Sequence, residues 1–191
     1  MPRPAEPGRS ALLDAGAVVA EREGLRGLSI NAVVATAGMA KGSFYHHFSD
    51  RRSYVIALHR RYHDALTAAI LADIGDPAPG MNRLRAGIAA YLDACLHTRG
   101  TKAFLAQSRT DTDLLDEVHA RNRSVAAFIE PDLGAVGWPD PAAVAHLVVA
   151  MVAEIALVEL YAGGPQQNLR VAVIQMIDPD SRGDARSVHV E

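Results

Sequence analysis

Hydrophobic positions recur at helical spacing along almost the whole chain. Leu12, Ala15 and Val19 follow one another at intervals of three or four residues, and Leu84 and Ile88 do so further on. Such spacing places the side chains on one face of an α-helix. No stretch alternates between apolar and polar residues around a tight hairpin turn, so strands are not predicted. The pattern therefore predicts an all-α chain of about nine helices.

Small polar residues, glycines and prolines mark the ends of these helices. Ser10 is predicted to cap the first helix, with Gly24 as its stop, and Ser49 to cap a long helix that ends near Asp73. Pro131 is predicted to end a later helix, because proline has no backbone N–H. The predicted helices span residues 10–24, 30–37, 41–48, 50–73, 81–95, 101–108, 114–130, 141–161 and 165–178.

Composition narrows the class of protein. The chain has 191 residues, 49% of them hydrophobic and 21% charged, which is enough apolar surface for a folded core. Its single cysteine, Cys95, cannot form an internal disulfide and is expected to be a small core residue in a reducing cytoplasm. The apolar run 142–162 contains His146, Glu154 and Glu159, so it is predicted to be a buried helix of a soluble protein rather than a membrane span.

The charge is distributed unevenly. Residues 1–61 contain nine Lys and Arg against five acidic residues, a net charge of +4, whereas the remainder carries −7. Because phosphate neutralisation dominates non-specific affinity for nucleic acids, this asymmetry suggests that the N-terminal end meets a polyanion. An excess of this size also arises by chance, so charge alone leaves both explanations open.

Residues 29–48 have the layout of a helix-turn-helix, in which a second short helix enters the major groove of DNA. One set of side chains is predicted to form the small core that holds the two helices together: Val33, Ala37, Met39, Phe44 and Phe48. A second set is predicted to point outward: Lys41, Ser43, Tyr45 and His46.

This segment resembles the TetR family of bacterial transcriptional regulators. The resemblance rests on Ala37-Gly38-Met39, on Lys41-Gly42, on Phe44-Tyr45-His46-His47-Phe48 and on the basic Arg51, and it covers about positions 10–60. It implies a helix-turn-helix DNA-binding domain over residues 1–49 and a helical ligand-binding and dimerisation domain over residues 50–178. Residues 179–191 are predicted to be a disordered tail.

Carried over by position, the resemblance also implies the DNA contacts. The implied contacts are Ser29 and Asn31 at the start of the second helix, Lys41, Gly42, Ser43, Tyr45 and His46 on the recognition helix, and Arg51 as a phosphate clamp. Two positions depart from the family pattern. Ala40 stands where a small polar cap is usual, and Val34 stands where an alanine is usual, so the docking geometry of the two helices differs from the common one.

The C-terminal region has no motif, but it has one unusual helix face. Helical rotation places Arg121 and Asn122 within the apolar stripe of their helix. Arg121 is predicted either to form a buried ion pair with Glu154 or another acid, or to anchor, together with Asn122, the polar end of a small molecule. The second alternative adds four lining residues: Tyr91, Phe104, Phe128 and Met151.

The predicted function is a homodimeric, nucleoid-associated repressor that an inducer releases from a palindromic operator. The apolar helix 141–161 and the last helix form the predicted dimer interface; the alternative is that both are core. The alternatives are a ligand-independent DNA-binding or chromosome-organising protein and an all-helical enzyme. No catalytic constellation, cofactor or metal site is predicted, and His59 and His63, four residues apart, are expected to be a solvated or interhelical pair because the metalloprotease pattern is absent.

Overall fold

The structure, a computed structural model, describes residues 5–98, 100 and 102–179. Its eight α-helices are α1 (Ala5–Gly27), α2 (Ile30–Ala37), α3 (Lys41–His47), α4 (Arg51–Ile74), α5 (Met81–His97), α6 (Leu115–Val136), α7 (Pro141–Ala162) and α8 (Gln167–Ile177). Between α5 and α6, a turn of π-helix (Lys102–Ala106) continues as a 3-10 turn (Gln107–Thr110). Within these residues there is no strand, so the all-α prediction is confirmed. Of the predicted tail 179–191, residues 180–191 lie outside the described residues.

The first helix begins earlier than predicted. Ser10 is not its cap but lies inside α1, where its hydroxyl donates to Asp14. Pro7 is compatible with the early start, because first-turn positions have no intrahelical acceptor for their N–H groups. The predicted stop at Gly24 is a kink, with φ 70° and ψ −174°, after which the chain completes one more turn. A side chain at this position would collide with the amide of Gln107, which accepts a hydrogen bond from the Leu25 N–H at 2.6 Å.

The cap of α4 is Asp50 rather than Ser49. The Asp50 carboxylate accepts from the Ser53 N–H at 2.7 Å, and the Ser53 hydroxyl lies 3.3 Å from the Asp50 N–H as its acceptor. This reciprocal pair is a capping box, which satisfies two of the helix's unbonded N–H groups. These hydrogen bonds lower the pKa of the Asp50 carboxyl, the backbone N–H of Ser53 contributing most.

The prediction that a helix ends before Pro131 is wrong, since α6 continues through it to Val136. A proline inside a helix removes one backbone hydrogen bond and crowds the preceding turn. The residues that follow it compensate through burial: Leu133 is fully buried, and the Asp132 carboxylate makes two hydrogen bonds to Arg83 and one to the Gly80 N–H. The tertiary contacts of Asp132 and Leu133 therefore outweigh the preference of Pro131 for a helix end.

The chain forms two compact units that do not follow chain order. The first comprises the described residues through Leu66 together with Thr98–Val118, and the second comprises Thr67–His97 and the described residues from His119 onward. In the first unit, α1 packs against α2, α3 and the π-helical turn. In the second, α7 packs against α5 and α8.

A buried carboxylate joins three helices of the second unit. Glu159 of α7 is fully buried, and both of its oxygens accept from the Arg170 guanidinium of α8, at 2.6 and 2.7 Å. Arg170 also donates to Asp93 of α5 at 2.6 Å, and the Gln166 N–H donates to Glu159. The hydrogen bonds from Arg170 outweigh desolvation and lower the pKa of the Glu159 carboxyl.

Helix α7 is long and apolar enough to cross a membrane, a test that core helices of soluble proteins also meet. One face is buried: Ala145, Val148, Val152, Ile155, Ala156 and Glu159. The opposite face leaves Leu147 63% and Tyr161 71% exposed. Its N-terminus follows the prediction, with the Asp140 carboxylate capping the helix and Pro141 in its first turn.

We expect Glu159→Gln to lower the free energy of unfolding by about 1.5–3 kcal/mol at pH 7, because Arg170, whose side chain is 13% exposed, then faces a neutral amide and keeps only the exposed Asp93 as a charge partner. A carboxyl whose pKa is lowered by folding stabilises the fold above its unfolded pKa, about 4.3, and the benefit is lost as pH falls through the lower folded value. The loss of unfolding free energy that Glu159→Gln causes should therefore become smaller below about pH 4. Urea unfolding of the wild type and the variant at several pH values measures this loss.

The matched control is Glu154→Gln, an exposed acid on the same helix. It should change the unfolding free energy by less than about 0.5 kcal/mol. If Glu159→Gln and Glu154→Gln change the unfolding free energy equally, the ion pair of Glu159 with Arg170 does not stabilise the fold as inferred.

Candidate nucleic-acid interface

A tight left-handed turn joins α2 to α3. The Ser29 hydroxyl caps α2 by accepting from the Ala32 N–H at 3.1 Å. Gly38 ends α2 with φ 63°, a conformation that glycine adopts without steric cost, and its N–H bonds back to the Ala35 carbonyl. The turn between the two helices is thus only three residues, 38–40, as the helix-turn-helix pattern predicted.

An aromatic cluster holds α3 in place. Phe44 is fully buried, and its ring centroid lies 5.1 Å from that of Tyr54 on α4 and 5.5 Å from that of Phe48. The Tyr54 hydroxyl donates to the Leu12 carbonyl of α1 at 2.8 Å, and burial raises the pKa of this hydroxyl. The predicted core is confirmed for Val33, Phe44 and Phe48, which are buried, whereas Ala37 and Met39 are half-buried.

The opposite face of α3 is open to solvent. Lys41 and Tyr45 lie one turn apart and are exposed, Tyr45 by 52%, and His46 follows them. A Cβ at Gly42 would meet no atom within 4 Å, so the fold itself does not require glycine there. Ser43 is half-buried, and Ser29 and Asn31 are exposed at the start of α2. As expected from the sequence, Ala40 provides no side-chain cap.

Arg51 has a role that the sequence did not reveal. Its guanidinium donates to the carbonyls of Leu28 at 2.8 Å and Leu25 at 2.9 Å, and it lies 3.9 Å from the Asp113 carboxylate. These contacts brace the bend between α1 and α2. The predicted phosphate contact of Arg51 stays a prediction.

Arg9 is not among the predicted site residues, because the sequence motif begins after it. The structure places its guanidinium over the Phe48 ring, 5.2 Å from the centroid, at the C-terminal end of α3. Close by, Gly8 lies so near the His47 ring that a Cβ there would be 2.6 Å from Nε2. The first turns of α1 therefore add a cation beside the recognition helix, a juxtaposition that only long-range contacts could reveal.

The predicted effector residues are dispersed. Phe104 is buried in the first unit, where its ring packs against Tyr62 at 5.1 Å, and the other five belong to the second. There, Arg121 is half-buried and donates to the Thr67 hydroxyl, and Asn122 is exposed. Phe128 is 47% exposed and lies beneath the Arg83 guanidinium. Tyr91 and Met151 are half-buried.

A cleft of about 250 Å³ lies between α6 and α7 in the second unit. Of the predicted effector residues only Asn122 lines it, with five residues that the sequence analysis did not select: His119, Arg123, His146, Val149 and Ala150. One helix face carries His119, Asn122 and Arg123, because they are spaced by three and four residues, and this spacing is the signal that could have found them.

Cys95 is buried in the core as predicted, and burial raises the pKa of its thiol to about 12.

The helix-turn-helix segment matches a known family. The model of the bacterial regulatory proteins of the tetR family aligns with residues 12–58, which contain α2, α3 and the exposed face of Lys41 and Tyr45. Over this segment the chain is similar to the bacterial regulatory proteins of the tetR family. The similarity supports a DNA-binding regulator of transcription.

Solved structures extend the likeness beyond residues 12–58 of this chain. A transcriptional regulator from Rhodococcus sp. Rha1 is 22% identical, with a TM-score of 0.73, over 92% of this chain and 96% of the other. A TetR-like regulator from Rhodococcus sp. RHA1 is 19% identical, with a TM-score of 0.71, over 97% and 98% of the two chains. The multidrug binding protein EbrR, complexed with imidazole, is 23% identical, with a TM-score of 0.72, over 94% of each chain.

At these identities the likeness establishes the fold of this chain but not its ligand. No curated protein matches the chain significantly. The assignment of DNA binding to residues 1–49 and of ligand binding to residues 50–178 concerns function rather than packing, so it stays a prediction.

We expect Arg51→Lys to lower the unfolding free energy of the protein by about 1–2 kcal/mol, because lysine keeps the charge but cannot donate to both carbonyls. Arg52→Lys is the matched control, since Arg52 is exposed and its contact with Asp113 is 3.7 Å long; it should change stability by less than about 0.5 kcal/mol. Chemical denaturation compares the two. Unchanged stability in Arg51→Lys would show that the guanidinium does not brace the bend.

Proposed function

We propose that the chain is a homodimeric repressor that binds a palindromic operator and is released by a small-molecule inducer. The observation that carries the proposal is the exposed face of α3, where Lys41, Tyr45 and His46 project from a helix whose opposite face is buried. In a helix-turn-helix protein this is the surface that enters the major groove.

The residue types on this surface suit DNA. Lys41 provides a charge for phosphate or a guanine edge, and the hydroxyls of Tyr45 and Ser43 suit phosphate oxygens. The open space around Gly42 lets the DNA backbone approach closely. Ser29 and Asn31 extend the proposed contacts to α2, and Arg51 is proposed as a phosphate contact in addition to its role at the bend.

The dimer is proposed from the apolar side chains that α7 and α8 leave in solvent. Leu147, Val158 and Tyr161 of α7 and Val171 and Met176 of α8 are all exposed in the single chain. Exposed apolar surface of this kind marks interaction sites, and paired α7 and α8 helices would form a four-helix interface. A two-fold dimer reads half-sites about one helical turn apart.

The inducer is proposed to bind the second unit. Arg121 and Asn122 provide polar anchors there, and Tyr91, Phe128 and Met151 provide apolar surface; Phe104 rests on the sequence pattern alone. The shared fold of EbrR, a multidrug binding protein, supports a ligand in this unit. Near-complete release requires the inducer to favour the non-binding state by about 10⁴-fold. Helix α4 contributes residues to both units, so we assign the transmission to it.

A protein with this function works in the cytoplasm, on the nucleoid. The proposal also implies that the protein is not an enzyme, because regulators of the TetR family act through binding. A ligand-independent DNA-binding protein would share the N-terminal surface but would never be released by a small molecule.

The DNA surface is tested by binding to the intergenic DNA upstream of the protein's own gene across a salt series. We expect Tyr45→Ala to abolish tight binding, and Lys41→Ala to weaken it uniformly and reduce the slope of log K against log salt by about one. Arg123→Ala is the control, because it removes one exposed positive charge from the second unit. If the folded wild type fails on this DNA and also selects no sequence from random DNA, the proposal fails.

The dimer is tested by analytical ultracentrifugation of Leu147→Glu. The substitution places a charge in the proposed apolar interface, so the variant should sediment as a monomer and bind operator DNA at least about tenfold more weakly. Leu71→Glu is the control, since Leu71 is 40% exposed on α4, outside the proposed interface. A dimer that survives Leu147→Glu unchanged would place the interface elsewhere.

A further inference from the structure

Two histidines form a close pair in the middle of α4. His59 and His63 are one helical turn apart, and their Nε2 atoms are 3.1 Å from each other. The ring centroids are separated by 4.3 Å, with an angle of 57° between the ring planes. The sequence analysis expected a solvated or interhelical pair, but both members lie on one helix and point at each other.

The pair lies at the edge of the first unit's core. His59 is only 2% exposed and packs edge-on against Phe104, with 6.3 Å between the centroids. His63 is half-buried, next to the Tyr62 ring at 4.9 Å. One imidazole is thus rigidly held, and the other links it to the surface. Neither residue has a part in the DNA surface or in the proposed dimer.

The distance between the two nitrogens suits chelation. A metal ion with bonds of about 2.0–2.1 Å to two nitrogens 3.1 Å apart subtends an angle of about 100°. This value lies between the right angle of octahedral or tetragonal coordination and the angle of about 109° of a tetrahedron. Two histidines four residues apart on a helix are also the spacing used by zinc-binding helices.

We propose that His59 and His63 form a two-histidine binding site for a divalent transition metal ion such as Zn²⁺. Imidazole nitrogen is a ligand for Zn²⁺, Ni²⁺ and Cu²⁺, whereas Mg²⁺ and Ca²⁺ prefer oxygen, which sets the class of ion. Among the described residues no group of three His, Cys, Asp or Glu side chains surrounds a common point, so water completes the coordination.

Binding requires a change of tautomer. In the hydrogen-bonded pair one ring donates its Nε2 proton to the other, and both Nε2 atoms must be unprotonated to hold a metal. The donating ring therefore moves its proton to Nδ1, and no proton is lost when both rings start neutral. A bound ion would connect two successive turns of α4, so it stabilises the folded state in proportion to its concentration.

The experiment is a Zn²⁺ titration of the EDTA-treated, full-length protein by isothermal calorimetry, with the thermal unfolding midpoint as a second readout. We expect one site per chain that weakens in acid, where protons compete for imidazole, and a midpoint that rises with Zn²⁺. The proposal would be overturned if the folded wild-type protein binds no Zn²⁺ and its thermal unfolding midpoint does not rise with Zn²⁺. His59 and His63 would then be only a hydrogen-bonded pair.

The variant is His63→Gln, with His119→Gln as the control because His119 is an exposed histidine of the second unit. Loss of a positioning partner of a ligand already costs about 10–100-fold in affinity, so His63→Gln should lose at least that much, and the control should lose nothing. Zn²⁺ affinity unchanged by His63→Gln would overturn the site.

If His63→Gln does not fold, the ¹⁵N resonances of the imidazole rings in the wild type show whether His59 and His63 bind Zn²⁺. Zn²⁺ must shift the Nε2 signals of His59 and His63 together. Shifts confined to other histidines refute the site. Operator binding is a separate readout, so failure of the metal site and failure of the proposed repressor function can be told apart.

Discussion

A seven-residue helix has almost no stability of its own in water, because nucleating a helix costs more than its few hydrogen bonds return. α3 is such a helix, and Ala40 gives it no side-chain cap. Its shape depends on the burial of Phe44 and Phe48 against Tyr54, whose hydroxyl ties the cluster to α1. The solvent-exposed side of α3 can be polar because the opposite side provides all the packing.

The second unit meets a different constraint. α7 is apolar around most of its circumference, so its hydrophobic residues do little to specify which face turns inward. Glu159 breaks that symmetry. A carboxylate buried without its partner costs several kcal/mol, so rotations of α7 that take Glu159 away from Arg170 are penalised. The same reasoning applies to Asp132 and Arg83, which hold α6 in place after its internal proline.

The errors of the sequence analysis share one origin. Ser10, Ser49 and Pro131 are residues with strong local preferences for helix ends, and each predicts a helix boundary on that ground. The real boundaries follow the contacts around them: Asp50 caps α4 through Ser53, and α6 crosses Pro131 because Asp132 and Leu133 are anchored. Local preferences of about 1–3 kcal/mol give way when a neighbouring side chain gains more by burial.

The sequence by itself determined the helical class, the existence of the helices with most of their ends within a few residues, and the helix-turn-helix with its family resemblance. These are properties of short windows: a hydrophobic period, a turn glycine and a contiguous motif. Only the tertiary structure decided that residues 98–118 join the first unit, that Arg51 braces a bend, and that Arg83 meets Asp132 forty-nine residues away. Such pairings depend on the path of the whole chain, because a charge finds its partner by proximity in space, which no local window encodes.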